Sequence, residues 1–182
     1  MAQRYDKLND EQQAFIKQQQ LFFVGTAASE GRINVSPKGG DTLRLLSTNQ
    51  LVWLNLTGSG NETSAHLQQS SRMTMMFCSF TAKPLILRLY GEANIIHPRD
   101  DAWQKHSELF PNYINSRQFI EFNFDLVQTS CGFGVPFYEH IRERENMDKW
   151  VASKGEQGIK DYWKQKNQIS LDGLPTNIIE SD

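Results

Sequence analysis

The chain has 182 residues, enough for one domain with a substantial core, and no Pro/Gly/Ser-rich linker divides it. Its 19 Lys and Arg residues against 21 Asp and Glu residues leave a net charge of -2, without the basic excess of proteins that neutralise nucleic-acid phosphates, so we expect no nucleic-acid partner. The N-terminal residues lack a signal-peptide-like apolar stretch and no segment reaches the roughly 20 apolar residues of a membrane span, which predicts a cytoplasmic protein without a membrane partner.

The N-terminal half predicts one helix followed by four short strands. Residues 9–19 have Asn9 or Asp10 as a cap, acidic residues in the first turn and an apolar side. Four apolar runs joined by tight connections then predict strands at 21–28, 33–38, 43–47 and 51–56. Because no helix separates these strands, we expect them to form an antiparallel meander.

The second half predicts further strands and closing helices. A short helix at about 62–69 precedes a hairpin of strands at 72–80 and 85–96, and the later elements are a helix at about 100–109, a strand in "FNFDLVQTSCG" and two C-terminal helices broken near Gly155. Strands mostly precede helices, which is typical of an α+β protein built on a small antiparallel barrel. We predict a single domain over residues 1–182, with the barrel at about 15–131 and the C-terminal helices at about 138–168.

The stretch "LNLTGSGNETSAHLQQ", residues 54–69, is the first candidate site, because a polar, glycine-containing loop follows a strand and opens a helix. It is not a dinucleotide fingerprint, since Thr63 takes the place of the third glycine, and it lacks the lysine of a P-loop. Ser59 and Glu62 match a capping box, which would satisfy the helix amides without a ligand. Alternatively, five hydroxyl or amide side chains around glycines at a helix start could cradle a phosphate. These side chains belong to Thr57, Ser59, Asn61, Thr63 and Ser64, with Gly58 between the first two.

Two basic residues on strands are further candidates. Pro37 in "INVSPKGG" cannot donate to a sheet, so its strand lies at an edge or bulge, which can free Val35 and Ser36 for a ligand and direct Lys38 outward. Lys38 could equally be a solvated lysine before a glycine turn. Arg88 interrupts the apolar "LILRLYG", and it needs an acidic or phosphate partner if it faces inward.

Histidine and cysteine patterns predict no metal site. The four histidines lack metal-ligand spacing, and we expect His66 on a helix, His97 beside a cap, and His106 and His140 at the surface. The cysteines, Cys78 and Cys131, are far apart and form no C-x-x-C pair. A pairing of Cys131 with His140 as nucleophile and base has no support from spacing.

The order of elements and the motifs together resemble the pyridoxamine 5′-phosphate oxidase-like family of FMN-binding split barrels. The similarity runs from about Phe15 to Ile96, in "FFVGTAASEGRINVSPKGG", "LVWLNLTGSGNETSAHL" and "RMTMMFCSFTAKPLILRLYGEA". The later "VQTSCGFGVPF" looks like a bacterial branch of that family. The resemblance implies an antiparallel split barrel with flanking helices, a homodimer, and an FMN held between its two subunits.

The resemblance also implies roles for individual residues. Around the FMN phosphate it places Lys38, Ser59, Asn61, Thr63 and Ser64. Further cofactor-binding candidates, without an assigned place on the cofactor, are Thr57, Gly58 and Arg88. Along the ribityl chain and the ring it places Val35, Ser36, Pro37 and Asn55. Near the pyrimidine edge of the flavin it places Ser130 and Cys131, a small and weakly polar lining.

Two departures from the family pattern bear on activity. Thr63 and Ser64 stand where oxidases of pyridoxamine phosphate carry an Arg-Lys pair, and "FYEHIREREN" replaces their substrate-binding Arg-x-His-Asp-Arg segment. We therefore expect an FMN-dependent oxidoreductase acting on an unidentified small molecule or electron donor, with negligible pyridoxamine-phosphate oxidase activity. Two other readings stay open, a non-catalytic flavin or haem carrier and an interaction module with an empty barrel.

Overall fold

The computed structural model describes residues 2–180, which form one antiparallel sheet flanked by helices. The strands are β1 (Gln3–Tyr5), β2 (Leu21–Thr26), β3 (Asn34–Gly39), β4 (Leu43–Leu45), β5 (Gln50–Leu56), β6 (Arg72–Cys78), β7 (Ile86–Ile96) and β8 (Ser116–Ser130). The helices are α1 (Asp10–Gln18), α2 (Glu62–Leu67), α3 (Trp103–Ser107) and α4 (Asn146–Lys166). The predicted α+β fold, an antiparallel split barrel with flanking helices, is confirmed.

The strand order differs from the expected meander. The order is β3-β2-β6-β7-β8-β5-β4, so β3 and β4 lie at opposite ends of the sheet although they are consecutive in the chain. Pro37 lacks an N–H to donate, which suits β3 to an edge. The turn after β3 contains Gly40 at φ +68°, and beyond it the N–H of Leu54 donates to the carbonyl of Thr42. Of the three pairings that the predicted meander requires, β2–β3 and β4–β5 are present. The expected β3–β4 pairing was wrong, because β2 pairs with β6 and β5 pairs with β8 instead.

The core lies on both faces of β5. Leu51 and Trp53 point into the larger apolar cluster with Phe22, while Val52 and Leu54 point into a second cluster. Alternation along a strand explains the division, since successive side chains leave opposite faces. The end of β5 is therefore fixed by packing on both sides, and this places the loop that follows it.

Several helix boundaries test the predicted caps. Asn9 and Gln12 form a reciprocal capping box at the start of α1, which confirms the cap expected there. Gly155, at φ +64°, interrupts α4 and confirms the expected break. The segment 131–145 has no regular helix, so the C-terminal helical region begins at Asn146 and not near residue 138. No helix within residues 2–180 has the length and apolar character needed to cross a membrane.

Candidate functional site

A cavity of about 270 Å³ lies between β3, the end of β5, the loop after it and β8, and is termed the loop pocket. Seven of the predicted residues line it, and they are Ser36, Lys38, Asn55, Gly58, Ser59, Asn61 and Thr63. Five other residues complete the lining, and they are Asn34, Leu56, Gly60, Glu62 and Arg117. The fold thus brings the "VSPK" strand and the "TGSGNET" loop to one place, although they are distant in sequence.

Strand alternation decides which side chains of β3 reach the loop pocket. Asn34, Ser36 and Lys38 line it, whereas Val35 points to the other face and is 66% exposed. The Lys38 ammonium lies 4.9 Å from the centre of the Trp53 ring, so a cation–π contact holds the Lys38 side chain of β3 against a residue of β5. Lys38 is therefore a half-buried pocket residue and not the freely solvated lysine that the sequence also allowed.

Arg117 supplies a second cation that the sequence analysis missed. Its side chain is 2% exposed, and Nη1 donates to the Gly60 carbonyl at 2.8 Å and to Asn167 Oδ1 at 3.0 Å, while Nη2 donates to Asn55 Oδ1 at 3.1 Å. The signal was present, because an arginine inside the apolar-rich "SRQFIEFNF" is as anomalous as Arg88 in its strand. Its partners come from two segments, residues 55–60 and Asn167, each at least 50 residues away in sequence, which no local pattern reveals.

The electrostatics of the loop pocket favour an anion. Burial, followed by repulsion from Arg117, lowers the pKa of Lys38 to about 8, and burial lowers the pKa of Arg117 to about 9. Glu62 is the carboxylate in the lining, and both of its oxygens accept from the N–H of Leu171 at 3.1 Å. Two cations whose charged forms are disfavoured by burial would both gain from a bound anion.

Unpaired polar atoms point to the same conclusion. Among the described residues, five buried side-chain atoms lack a hydrogen-bond partner, and three of the five are Ser36 Oγ, Asn61 Nδ2 and Arg117 Nε. All three belong to residues that line the loop pocket. A buried polar group without a partner costs about 1–3 kcal/mol, so such groups concentrate where a ligand completes them. The pocket thus holds hydrogen-bonding groups in place for an acceptor-rich ligand.

The loop before α2 is held from behind and does not form the capping box. Asn61, at the N-cap of α2, makes no side-chain cap hydrogen bond, and Glu62 is engaged by Leu171 instead. The capping-box interpretation was therefore wrong. Asn167 Nδ2 donates to the Gly58 carbonyl at 3.1 Å, so the chain after α4 fastens the loop from its outer side.

Two predicted hydroxyls serve this support and do not line the loop pocket. Ser64 Oγ donates to the Thr176 carbonyl at 2.7 Å and accepts from Gln118 Nε2 at 2.8 Å. Thr57 Oγ1 donates to the Asn115 carbonyl at 2.9 Å. Both side chains are at most 1% exposed, so their oxygens are committed to the protein itself.

The remaining predicted residues lie elsewhere on the sheet. Arg88 Nη1 donates to Ser130 Oγ at 3.3 Å across the β7–β8 pair. Its partner is therefore a neutral hydroxyl, and not the acidic group or phosphate considered from the sequence. Cys131 is exposed, and Pro37 stays at the edge strand outside the pocket lining. The predicted residues thus form three groups. The first lines the loop pocket, the second supports the loop, and the third lies elsewhere on the sheet or next to it.

The histidines are mostly structural. His66 Nδ1 lies 3.1 Å from Thr26 Oγ1, and His106 is 2% exposed with its Nε2 at 3.2 Å from Glu121. The expectation that His106 lies at the surface was wrong, because α3 turns it onto Phe119, whose ring centre is 5.8 Å away. His140 is exposed, and its Nε2 lies 3.1 Å from Glu143 Oε1, so its partner is a carboxylate and not the Cys131 thiol.

The fold is that of a split barrel, and sequence comparison identifies the family. The sequence profile described as "Pyridoxamine 5'-phosphate oxidase" matches residues 8–131. The chain is also 34% identical over 191 residues to "Pyridoxamine 5'-phosphate oxidase family protein ustO" of Aspergillus flavus, covering 94% of this chain and 76% of that protein. The chain belongs to the pyridoxamine 5′-phosphate oxidase family.

Solved structures support the fold. A HupZ variant from Group A Streptococcus superposes with a TM-score of 0.54 at 18% identity, covering 67% of this chain and 98% of that one. A candidate pyridoxamine 5′-phosphate oxidase from Lactobacillus delbrueckii also gives a TM-score of 0.54, at 21% identity and with coverage of 68% and 94%. At these identities the likeness concerns the barrel and carries no statement about activity.

Proposed function

We propose that the protein is a flavoprotein that binds FMN, with the cofactor phosphate in the loop pocket. The observation that carries the proposal is the set of unpaired buried groups, Ser36 Oγ, Asn61 Nδ2 and Arg117 Nε, in a lining that also holds the Lys38 ammonium. A phosphate dianion offers several strong acceptor oxygens to such a set, and charge-assisted hydrogen bonds are the strongest available. Neighbouring glycines allow the backbone to approach it closely.

In this proposal Arg117 and Lys38 replace the Arg-Lys pair that is absent from the start of α2. The helix carries Thr63 and Ser64 there, and Ser64 is turned toward Thr176. A guanidinium from β8 and an ammonium from β3 therefore provide positive charge from the opposite wall. In this assignment Ser59 and Thr63 contribute hydroxyls to the phosphate, and Thr57 and Ser64 support the loop.

The rest of the cofactor would extend along β3, outside the loop pocket. In this assignment the ribityl chain would pass Asn55, which lines the loop pocket, and the ring would lie along the edge strand at Val35 and Pro37, whose side chains are exposed on its other face. Bound FMN would supply the transfer of electrons or a hydride, and the protein would supply position, hydrogen bonds and exclusion of water. The substrate or electron donor is a small molecule.

A second copy of the chain would complete this site. Ile33 is 75% exposed and Val35 is 66% exposed, and both lie at or beside the edge strand that borders the loop pocket. In a C2 homodimer the same surface meets its counterpart, which would cover these side chains and bring Arg88, Ser130 and Cys131 of each protomer toward the flavin of the other. Light scattering should give a mass near twice 21.0 kDa, and a monomer mass with FMN bound would contradict the dimer.

Removal of the Lys38 ammonium tests the phosphate assignment. Lys38→Ala should weaken FMN binding, followed by flavin fluorescence, by about 1.5–3 kcal/mol, the usual size of a hydrogen bond to a charged group. Lys17→Ala is the matched control, because it removes the same charge from the last turn of α1. Equal FMN affinity in Lys38→Ala and the wild type would remove Lys38 from the site.

Pyridoxamine phosphate is a poor candidate for the substrate. The residues that follow Tyr138 alternate acidic and basic side chains, and they are exposed. A second phosphate beside the flavin would need a cluster of cations there. The flavin should be reducible by dithionite, with negligible oxidation of pyridoxamine phosphate. Turnover at about 1 per second or faster in an oxidase assay would overturn this expectation.

A non-catalytic flavin or haem carrier is the alternative, and the visible absorption spectrum of the purified protein distinguishes the two ligands. A flavin gives a different spectrum from a haem, and an empty barrel gives neither. A protein that binds FMN but exchanges electrons with no donor beyond dithionite would fit the carrier.

A further inference from the structure

A second cavity is larger than the loop pocket and is open to solvent on one side. Its volume is about 740 Å³, and it is lined by α3, the chain that leads from α3 to β8, and the second half of α4. Five aromatic residues contribute to its lining, and they are Trp103, Phe110, Tyr113, Phe119 and Trp163. This volume is within the range of small-molecule sites in proteins. The cavity is termed the aromatic cavity.

Packing fixes the aromatic wall. Phe119 is 1% exposed, and its ring lies 4.5 Å from Trp103 and 5.5 Å from Phe110 between centres. These three rings belong to or pack against the second apolar cluster, on the face of β5 opposite the barrel interior. Phe119 and Phe110 are buried by this packing, so the partly exposed rings of Trp103, Tyr113 and Trp163 are the ones that a flat ligand can contact, by stacking or edge to face.

The charge of the aromatic cavity is opposite to that of the loop pocket. Its charged residues are Glu108, Glu156 and Lys160. Lys160 Nζ donates to Glu156 Oε1 at 2.8 Å, which neutralises that pair. The Arg44 guanidinium lies 4.6 Å from the centre of the Phe110 ring but is itself paired with Asp41. Glu108 accepts from the neutral Gln104 amide at 3.0 Å, so its charge remains uncompensated. An anionic ligand would be repelled there, while an ammonium would be attracted both by Glu108 and by the ring faces.

We propose that the aromatic cavity is a binding site for a planar aromatic molecule that carries no net negative charge, either neutral or an aromatic amine. The proposal does not depend on FMN binding, because none of the residues of the loop pocket is part of this argument. The two sites are nevertheless neighbours, since the Trp163 indole N–H donates to Thr57 Oγ1 at 2.7 Å, where the loop begins.

Isothermal titration calorimetry with three indole derivatives tests both the site and its charge preference. Indole is neutral, tryptamine adds an ammonium and indole-3-acetate adds a carboxylate to the same ring. We expect saturable binding of indole and tryptamine to the wild type, with indole-3-acetate at least about tenfold weaker than tryptamine. Equal affinity for the amine and the acid, or no saturable binding of either indole or tryptamine, would overturn the proposal.

Two variants locate the binding. Tyr113→Ala removes one aromatic wall but keeps the backbone carbonyl that accepts from Ser116, and it should weaken tryptamine binding at least about fivefold. Glu108→Lys should reverse the order of tryptamine and indole-3-acetate. Glu30→Lys makes the same charge change on an exposed turn and should leave both affinities as in the wild type.

Several results would place the binding elsewhere. Tryptamine affinity that is unaffected by Tyr113→Ala, or an equal response to Glu108→Lys and Glu30→Lys, would exclude the aromatic cavity. A change in molecular mass on Tyr113→Ala, seen by light scattering, would assign the cavity to contact between copies of the chain and would likewise overturn the proposal.

Discussion

In two irregular segments of this protein, the exposure of key side chains is the opposite of what their polarity predicts. The loop after β5, residues 57–61, is polar, yet Thr57 and Asn61 are 1% and 2% exposed. The segment 131–145, termed the arm, carries large apolar side chains, yet Phe137 and Ile141 are 76% and 87% exposed. Residue type alone would have assigned Thr57 and Asn61 to solvent and Phe137 and Ile141 to the core.

Hydrogen bonding explains why the polar loop can be buried. Thr57 donates to Asn115, the Gly58 carbonyl accepts from Asn167, and the Gly60 carbonyl accepts from Arg117. Buried polar groups are tolerated when they are paired. The unpaired remainder, Asn61 Nδ2 among it, lies in the loop pocket, where a ligand can satisfy it.

The arm lacks comparable support. The N–H of Val135 donates to the Gly132 carbonyl, the N–H of Tyr138 donates to the Phe80 carbonyl, and the Tyr138 and Phe80 rings lie 5.3 Å apart between centres. These contacts hold the first part of the arm and leave its second part to solvent. Burial of a segment without helix or strand therefore depends on partners from elsewhere in the chain.

The largest expected effect on stability comes from removing Arg117, the central hydrogen-bond partner of the loop. Arg117→Ala leaves Gly60, Asn55 and Asn167 oxygens buried without their donor but also removes a cation that burial destabilises, and we expect the free energy of unfolding to fall by about 2–3 kcal/mol. Urea denaturation measures this change. Arg142→Ala, the same substitution in the arm, should change it by less than about 0.5 kcal/mol. A loss below about 1 kcal/mol in Arg117→Ala would show that the loop does not depend on this residue.

A second test uses pH on the buried network behind the loop. Burial, followed by repulsion from Arg99, lowers the pKa of His97 from 6.5 to about 4, and Gln118 Nε2 lies 3.5 Å from its Nδ1. Because the folded pKa is below the unfolded one, the unfolded state binds the proton first, so stability is present above pH 6.5 and is lost as pH falls toward 4. We expect a loss on the order of 2 kcal/mol over this window.

A pair of variants separates this histidine from other titrating groups. Denaturation at pH 7 and pH 4.5 should show a smaller pH-dependent loss in His97→Gln than in the wild type. His140→Gln, in the exposed arm, should retain the full loss. Equal losses in the wild type and His97→Gln would contradict the assignment.

A third test concerns the cation of the loop pocket. Since the pKa of Lys38 is about 8, its charge is lost from the empty pocket as pH rises through 8, and a bound dianion would restore it by raising that pKa. FMN affinity should therefore fall by up to about tenfold per pH unit above 8, with proton uptake on binding seen by calorimetry in two buffers. Lys38→Arg keeps its charge and should flatten the profile between pH 7 and 9.

The smallest expected effect is in the arm. Phe137→Ser should change the free energy of unfolding by less than about 0.5 kcal/mol, because the side chain is already 76% exposed. A loss above about 1 kcal/mol that grows with protein concentration would mean that a second copy covers the arm, and the contrast with the loop would then belong to the isolated chain only.

Much of the local structure follows from the sequence. The capping box at Asn9, the break at Gly155 and the alternation that turns Ser36 and Lys38 to one side of β3 are all properties of neighbouring residues. The polar character of the loop after β5 was equally visible. Caps, glycine conformations and strand alternation extend over a few residues, so a single segment contains the information that decides them.

The tertiary structure decided the partners. The separation of β3 from β4, the entry of Arg117 into the loop pocket and the use of Asn167 as a support all depend on pairing between segments far apart in the chain. Ser59 and Glu62 matched a capping box, but Leu171 takes the Glu62 carboxylate. Such competition between a local and a distant partner is settled by burial and register across the whole sheet, which a local pattern does not contain.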